Sequence, residues 1–164
     1  MVITIGTTNS PPSSPLKITI NMEMKFKFEP NLKYQIDAID SVVGLFEGSP
    51  RINPENTVMQ EVSANILELS KEEVFNNFTR IVGINRISEP QKSDDLDFSI
   101  EMETGTGKTY VYLRTIFELH LKYGLSKFII IVPSIAVKQG VLKTFEQTKD
   151  HFNQLYNNTC KVIE

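Results

Sequence analysis

The sequence predicts an α/β domain with parallel strands, preceded by a helical amino-terminal region. Three observations carry this expectation. A glycine-rich string sits between a short strand candidate and an amphipathic helix, a nearly continuous β-branched run follows that helix, and apolar residues recur at helical spacing through the first half of the chain.

In chain order, Met1 to Pro15 reads MVITIGTTNSPPSSP, with no basic start and an apolar stretch too short for a signal peptide. Residues 1–23 are therefore expected to form a disordered tail. Met22 and Met24 directly precede the first patterned segment, so translation starting there is a second expectation, and on that reading deleting residues 1–23 leaves the melting temperature unchanged. Residues 24–96 form the helical region. Ile36, Ile39, Val42, Val43 and Phe46 fall at three- and four-residue steps, ended by Gly48 and Pro50. After the polar loop SPRINPEN, Val58, Val62, Ile66 and Leu69 give a second helical stripe. Ser70 and Glu73 have capping-box spacing at the start of a third helix carrying Phe75, Phe78, Ile81 and Val82. Residues 83–95, rich in Gly, Pro and charge, read as loop.

Residues 97–164 hold the α/β portion. Asp97 to Met102 (DFSIEM) is the strand candidate before the glycine-rich turn, and the helix after it runs from Lys108 to about Tyr123, where Gly124 stops it. Lys127 to Val132 (KFIIIV) has the composition of a parallel strand covered on both faces. Pro133 ends it, and a further helix spans roughly Ala136 to Phe152. A parallel strand without neighbours would leave an unpaired edge prone to association.

Composition sets outer bounds. The 164 residues are 40% hydrophobic and 23% charged, as in an ordinary folded domain of a size that buries a real core. Cys160 is the sole cysteine, which excludes an internal disulfide or a cysteine-rich metal site and fits a reducing, cytoplasmic setting. No apolar run reaches the roughly 18 residues of a membrane span, so no membrane partner is expected. The glycosylation-like triplets at Asn77 and Asn157 are read as chance matches. A formal charge of −3 gives no global attraction to phosphate backbones, so any DNA contact is expected to come from a local basic patch or from missing parts. His120 and His151 lie in helical segments without a partner motif and are assigned structural or surface roles.

The chemistry is carried by Glu103-Thr104-Gly105-Thr106-Gly107-Lys108-Thr109. A triphosphate needs inward-pointing backbone amides, a helix amino terminus behind them and the close approach that glycine allows. Thr104, Gly105, Thr106 and Gly107 supply that cradle, Lys108 would reach the β and γ phosphates, and the Thr109 hydroxyl would sit on the bridging Mg²⁺. The expected cofactors are thus ATP and Mg²⁺.

METGTGKTYVYLRTIFEL, KFIIIVPSIAVKQGVLKTFE and, upstream, FKFEPNLKYQIDAIDSVVGLFEG resemble the Res subunit of type III restriction enzymes, a superfamily 2 helicase-like motor, over roughly residues 24–152. The general phosphate-loop pattern would place Gly where this sequence has Met102, a position that the helicase-like branch relaxes. The resemblance implies a RecA-like fold, begun at residue 97. It makes Tyr34-Gln35 the glutamine motif, with Gln35 reading adenine, while Phe28 either packs on the base or belongs to the core. It makes Val132 to Gln139 similar to motif Ia, with Ser134 and Lys138 as contacts to the DNA sugar-phosphate backbone. It implies DNA and a modification methyltransferase subunit as partners, with Lys108 as the transition-state phosphate contact.

Hydrolysis in this class needs a later acidic DExx motif and an arginine from a second lobe. After Lys108 the acidic residues are Glu118, Glu146, Asp150 and Glu164, none in a DE pair closing an apolar strand. The expectation is an ATP-binding amino-terminal part of a larger motor, inactive by itself. Two other readings stay open: a phosphate-loop kinase acting on a small acceptor, supported by GKT alone, and a non-catalytic truncated remnant.

Overall fold

The computed structural model describes residues 2–6, 28–51, 65–88, 96–157 and 159–163. In chain order these form β1 (Val2–Gly6), α1 (Lys33–Gly44), α2 (Lys71–Ile84), α3 (Lys108–Tyr123), β2 (Lys127–Ile129), α4 (Ile135–Tyr156) and β3 (Thr159–Ile163).

Helix α3 is the centre of the molecule because its apolar residues are not confined to one stripe. Tyr110, Leu113, Ile116 and Phe117 pack with Phe145 and Phe152 of α4. Val111, Leu119 and Tyr123 pack with Ile39 and Val43 of α1, and Phe128 of β2 adjoins both clusters. A helix apolar nearly all round is buried between neighbours. Gly107 and Gly124 bound it, both in the left-handed region, and the Gly124 amide donates to the His120 carbonyl as a C-terminal cap.

Helix α2 starts as its capping box requires: the Ser70 hydroxyl accepts from the Glu73 amide, and the Glu73 carboxylate accepts from the Ser70 amide. These bonds hold the Glu73 carboxyl below its ordinary range. Val74 and Ile81 are its buried residues, and the Asn77 amide donates to the Leu45 and Glu47 carbonyls, fixing α2 to the end of α1. In the second stripe, Val58 and Val62 lie outside the described residues, while Ile66 and Leu69 are irregular rather than helical.

The sheet departs from expectation in four ways. Its order is β2-β1-β3, and both pairings are antiparallel, with Val2 opposite Ile129 on one side and Ile163 on the other. Strands β2 and β3 do run in the same direction around α4, but β1 takes the hydrogen bonds of each, so no parallel pair occurs among the described strands. Residues 2–6, read as part of a disordered tail, are thus the central strand; VITIG has the β-branched content that suits one. Residues 97–102, the expected strand before the loop, are irregular, because Phe98 packs on Phe75 and Phe78 of α2 at 6.1 and 5.0 Å. Finally, KFIIIV is covered on one face only. Phe128 and Ile130 are partly buried, whereas Ile129 and Ile131 are exposed, Ile131 to 90%.

Candidate nucleotide-binding site

The string 103–109 forms a tight loop leading directly into α3. Gly105 and Gly107 have φ of +85° and +84°, a region that L side chains disfavour. Thr106 closes the turn: its amide and its hydroxyl both donate to the Glu103 carbonyl, at 3.4 and 2.6 Å. Lys108 folds back, its Nζ donating to the Met102 and Glu103 carbonyls at 2.6 and 2.7 Å. Met102, standing where the general pattern has Gly, thus contributes its carbonyl to the lysine and its side chain to the α1–α3 core.

Gln35 meets this loop from α1. Its side chain is 6% exposed, and Nε2 donates to the Thr106 carbonyl at 2.9 Å. A Cβ at Gly107 would lie 2.8 Å from that nitrogen, so a larger residue would push the end of the Gln35 side chain aside, while φ itself favours glycine. Phe28 stacks on Tyr110 at 5.9 Å with planes 7° apart and tilts against His151 at 5.4 Å, a placement that favours its core alternative.

Residues that the motif did not single out complete the surroundings. The Tyr110 hydroxyl bonds His151 Nε2 at 2.9 Å, which puts His151 in an aromatic cluster of α3 and α4. Burial lowers the His151 pKa, and the Arg114 charge lowers it further. Arg114 donates to the Pro30 carbonyl and to the Tyr156 hydroxyl, and the latter donates to Glu118 at 2.5 Å. Burial pushes the Tyr156 phenol above its ordinary range, helped by that bond to Glu118. Burial also raises the Tyr112 phenol, while the Thr109 hydroxyl pulls it partly back. Helical spacing could have flagged Tyr110 and Arg114 as loop-proximal, but no sequence signal gives the register between α3 and α4 that brings in His151 and Tyr156.

The donor set suits a magnesium triphosphate. Helix α3 begins at a glycine and has no side-chain cap, whereas α2 and α4 are capped by Ser70 and Ser134. Its first amides, a lysine ammonium and a threonine hydroxyl therefore converge at one helix amino terminus. Ser134 is exposed, and its hydroxyl accepts from the Val137 amide at 3.3 Å; Lys138, one turn on, is half-buried. They lie at the start of α4, apart from the loop in sequence. Among the described residues no group of three or more His, Cys, Asp or Glu could hold a metal ion, and no helix is long and apolar enough to cross a membrane.

Residues 29–164 match the family described as type III restriction enzyme, res subunit. The chain belongs to this family. The Res subunit of the type III restriction-modification enzyme EcoP15I of Escherichia coli is 34% identical over 148 residues, and that of EcoPI from Escherichia phage P1 is 32% identical over 146; each alignment covers 86% of this chain. The StyLTI Res subunit of Salmonella typhimurium is 46% identical over 77 residues, 46% of this chain and 8% of that protein. The chain spans 15% of the length of the first two. Membership of the Res family implies a RecA-like fold.

Proposed function

We propose that residues 103–109 bind ATP with Mg²⁺, as the nucleotide-binding part of a Res-type motor that acts on DNA. The observation that carries this reading is the placement of Lys108 at an uncapped helix start, behind two left-handed glycines, with its ammonium held by two loop carbonyls. Phosphate oxygens are stronger acceptors than those carbonyls, so Lys108 exchanges partners when a triphosphate arrives. The amides of α3 and the glycine loop receive the phosphates, and Thr109 offers its hydroxyl to the metal. When bound, Mg²⁺ supplies charge neutralisation and orientation of the phosphates.

Gln35 is proposed to read adenine. Its Nε2 carries two hydrogens, so one bond to Thr106 leaves the second hydrogen and the Oε1 acceptor for the base. Ser134 and Lys138 are proposed to contact the sugar-phosphate backbone of DNA, a role that positions without reading sequence. A modification methyltransferase subunit is the proposed protein partner, in keeping with relatives named as Res subunits of restriction-modification enzymes. These assignments favour nucleotide-driven movement along DNA over phosphorylation of a small acceptor.

Calorimetric titration with ATP and Mg²⁺, comparing the chain with Lys108→Ala, tests the core of the reading. Losing charge-assisted hydrogen bonds worth roughly 1.5–3 kcal/mol apiece weakens binding about tenfold or more. A folded chain that binds no ATP, or binds equally well without Lys108, rules the proposal out.

A further inference from the structure

We infer that Tyr112 is a positioning residue for the Thr109 hydroxyl, holding it in the orientation that a bound magnesium ion requires. This rests on the nucleotide reading above and adds a residue outside the phosphate-loop motif. Among the described residues, Tyr112 Oη is the one buried side-chain polar atom with no hydrogen-bond partner. Folded proteins leave few such groups, and each calls for a reason.

The other tyrosines of α3 and α4 show what a structural phenol does. Tyr110 pairs with His151 at 2.9 Å, Tyr123 with the Val43 carbonyl at 2.9 Å and Tyr156 with Glu118 at 2.5 Å. Tyr112 instead lies three residues after Thr109, so the two share a helix face one turn apart. Side chains in a helix lean toward its amino terminus, which carries the phenol back toward the Thr109 hydroxyl, near enough for that hydroxyl to offset part of the effect of burial but short of a formed hydrogen bond. The Tyr112 ring packs at the edge of the α3–α4 core, so the ring is held while its hydroxyl hydrogen can still turn.

Threonine chemistry has room for this bond. The Thr109 hydroxyl has one hydrogen and two lone pairs. With one lone pair toward the metal and the hydrogen toward a phosphate oxygen, the second lone pair accepts from Tyr112 Oη. The bond forms as the metal and a phosphate oxygen fix the Thr109 hydroxyl, so its worth appears as tighter binding in Mg²⁺ rather than as stability of the free fold.

The test is calorimetry on the whole chain with ATP in Mg²⁺ and with ATP in chelator, for wild type, Tyr112→Phe, Thr109→Ala and the double variant. Expected for Tyr112→Phe is a loss of about three- to tenfold in Mg²⁺, the worth of one hydrogen bond, no change in chelator, and no added loss on top of Thr109→Ala. Its melting temperature without nucleotide should hold. Equal affinity in Mg²⁺, an equal loss with and without metal, or a persisting loss beside Thr109→Ala would each overturn the inference. So would a lowered melting temperature, which would mean that the phenol is already bonded in the nucleotide-free fold. If wild type binds no ATP, the nucleotide reading fails and this inference with it. If wild type binds and Lys108→Ala is weak while Tyr112→Phe is unaffected, the role of Tyr112 alone fails.

Discussion

Gly105 and Gly107 have nearly the same φ, +85° and +84°, but different surroundings, and the pair therefore separates backbone strain from contact. An alanine at either position costs about 1–2 kcal/mol for the left-handed conformation. At Gly105 the new methyl meets nothing within 4 Å, so that strain is the whole effect. At Gly107 it lies 2.8 Å from Gln35 Nε2, closer than non-bonded atoms tolerate, so the buried amide must shift, and the expected shift is away from the Thr106 carbonyl. Losing that bond adds about 1 kcal/mol, and more if the displaced amide stays buried and unpaired. Gly107→Ala should therefore be less stable than Gly105→Ala by about 1–2 kcal/mol, or roughly 2–8 °C in melting temperature for a chain of this size. Urea and thermal unfolding of both variants, alone and combined with Gln35→Ala, measure this directly. With Gln35 shortened, the excess at Gly107 should vanish, giving a coupling of about 1–2 kcal/mol in the double-mutant cycle. Equal stabilities of the two glycine variants would refute the reasoning, as would an excess at Gly107 that survives Gln35→Ala.

Three further perturbations test the fold. The Tyr123 hydroxyl donates to the Val43 carbonyl at 2.9 Å in a buried site, so Tyr123→Phe should cost about 1–2 kcal/mol by urea unfolding, and a neutral result would refute that bond. Deleting residues 1–6 removes the strand that pairs with both β2 and β3, so the melting temperature should fall markedly, whereas an unchanged transition would restore the reading of this segment as a dispensable tail. Burial holds His120 and His151 below the ordinary histidine pKa. Above about pH 6.5 both folded and unfolded states are neutral there; as pH falls through that value the unfolded chain binds protons first, so stability declines until the depressed folded values are passed. Urea midpoints between about pH 7.5 and 5.5 should show a shallower decline for His120→Gln and for His151→Gln than for wild type, and unchanged slopes would exclude burial as the cause.

The sequence was most legible where local chemistry dictates the backbone. Helix α3 was expected from Lys108 to about Tyr123 and runs between those residues, because glycine at each end permits conformations that the helix interior forbids. The Ser70–Glu73 box likewise fixes the start of α2 through two bonds within four residues. Strands were less legible because pairing depends on a partner. Phe98, Ile100 and Met102 alternate as a strand would, yet Phe98 packs on α2 and Met102 on the α1–α3 core. VITIG carries four β-prone residues, too few to announce a strand that takes its stability from β2 and β3. In the candidate site, the order of residues along the loop was readable, but the approach of Gln35 to Thr106 spans 71 positions and has no local signature.

Helix α3 also explains why the loop and the glutamine segment belong to one structural unit. It begins at Lys108, and at Arg114 it reaches the Pro30 carbonyl, just ahead of the helix that carries Gln35. Arg114 is in turn held by Tyr156 of α4, whose hydroxyl bonds Glu118 one turn further along α3. Both walls of the proposed nucleotide site therefore hang from the same buried helix. A ligand that grips Gln35 and Lys108 together is met by a site whose spacing the α1–α3 and α3–α4 cores already fix, which lowers the ordering cost of binding. On the proposed reading, the same arrangement makes the loop itself the adjustable part, with Lys108 exchanging carbonyls for phosphates while the helix behind it stays in place.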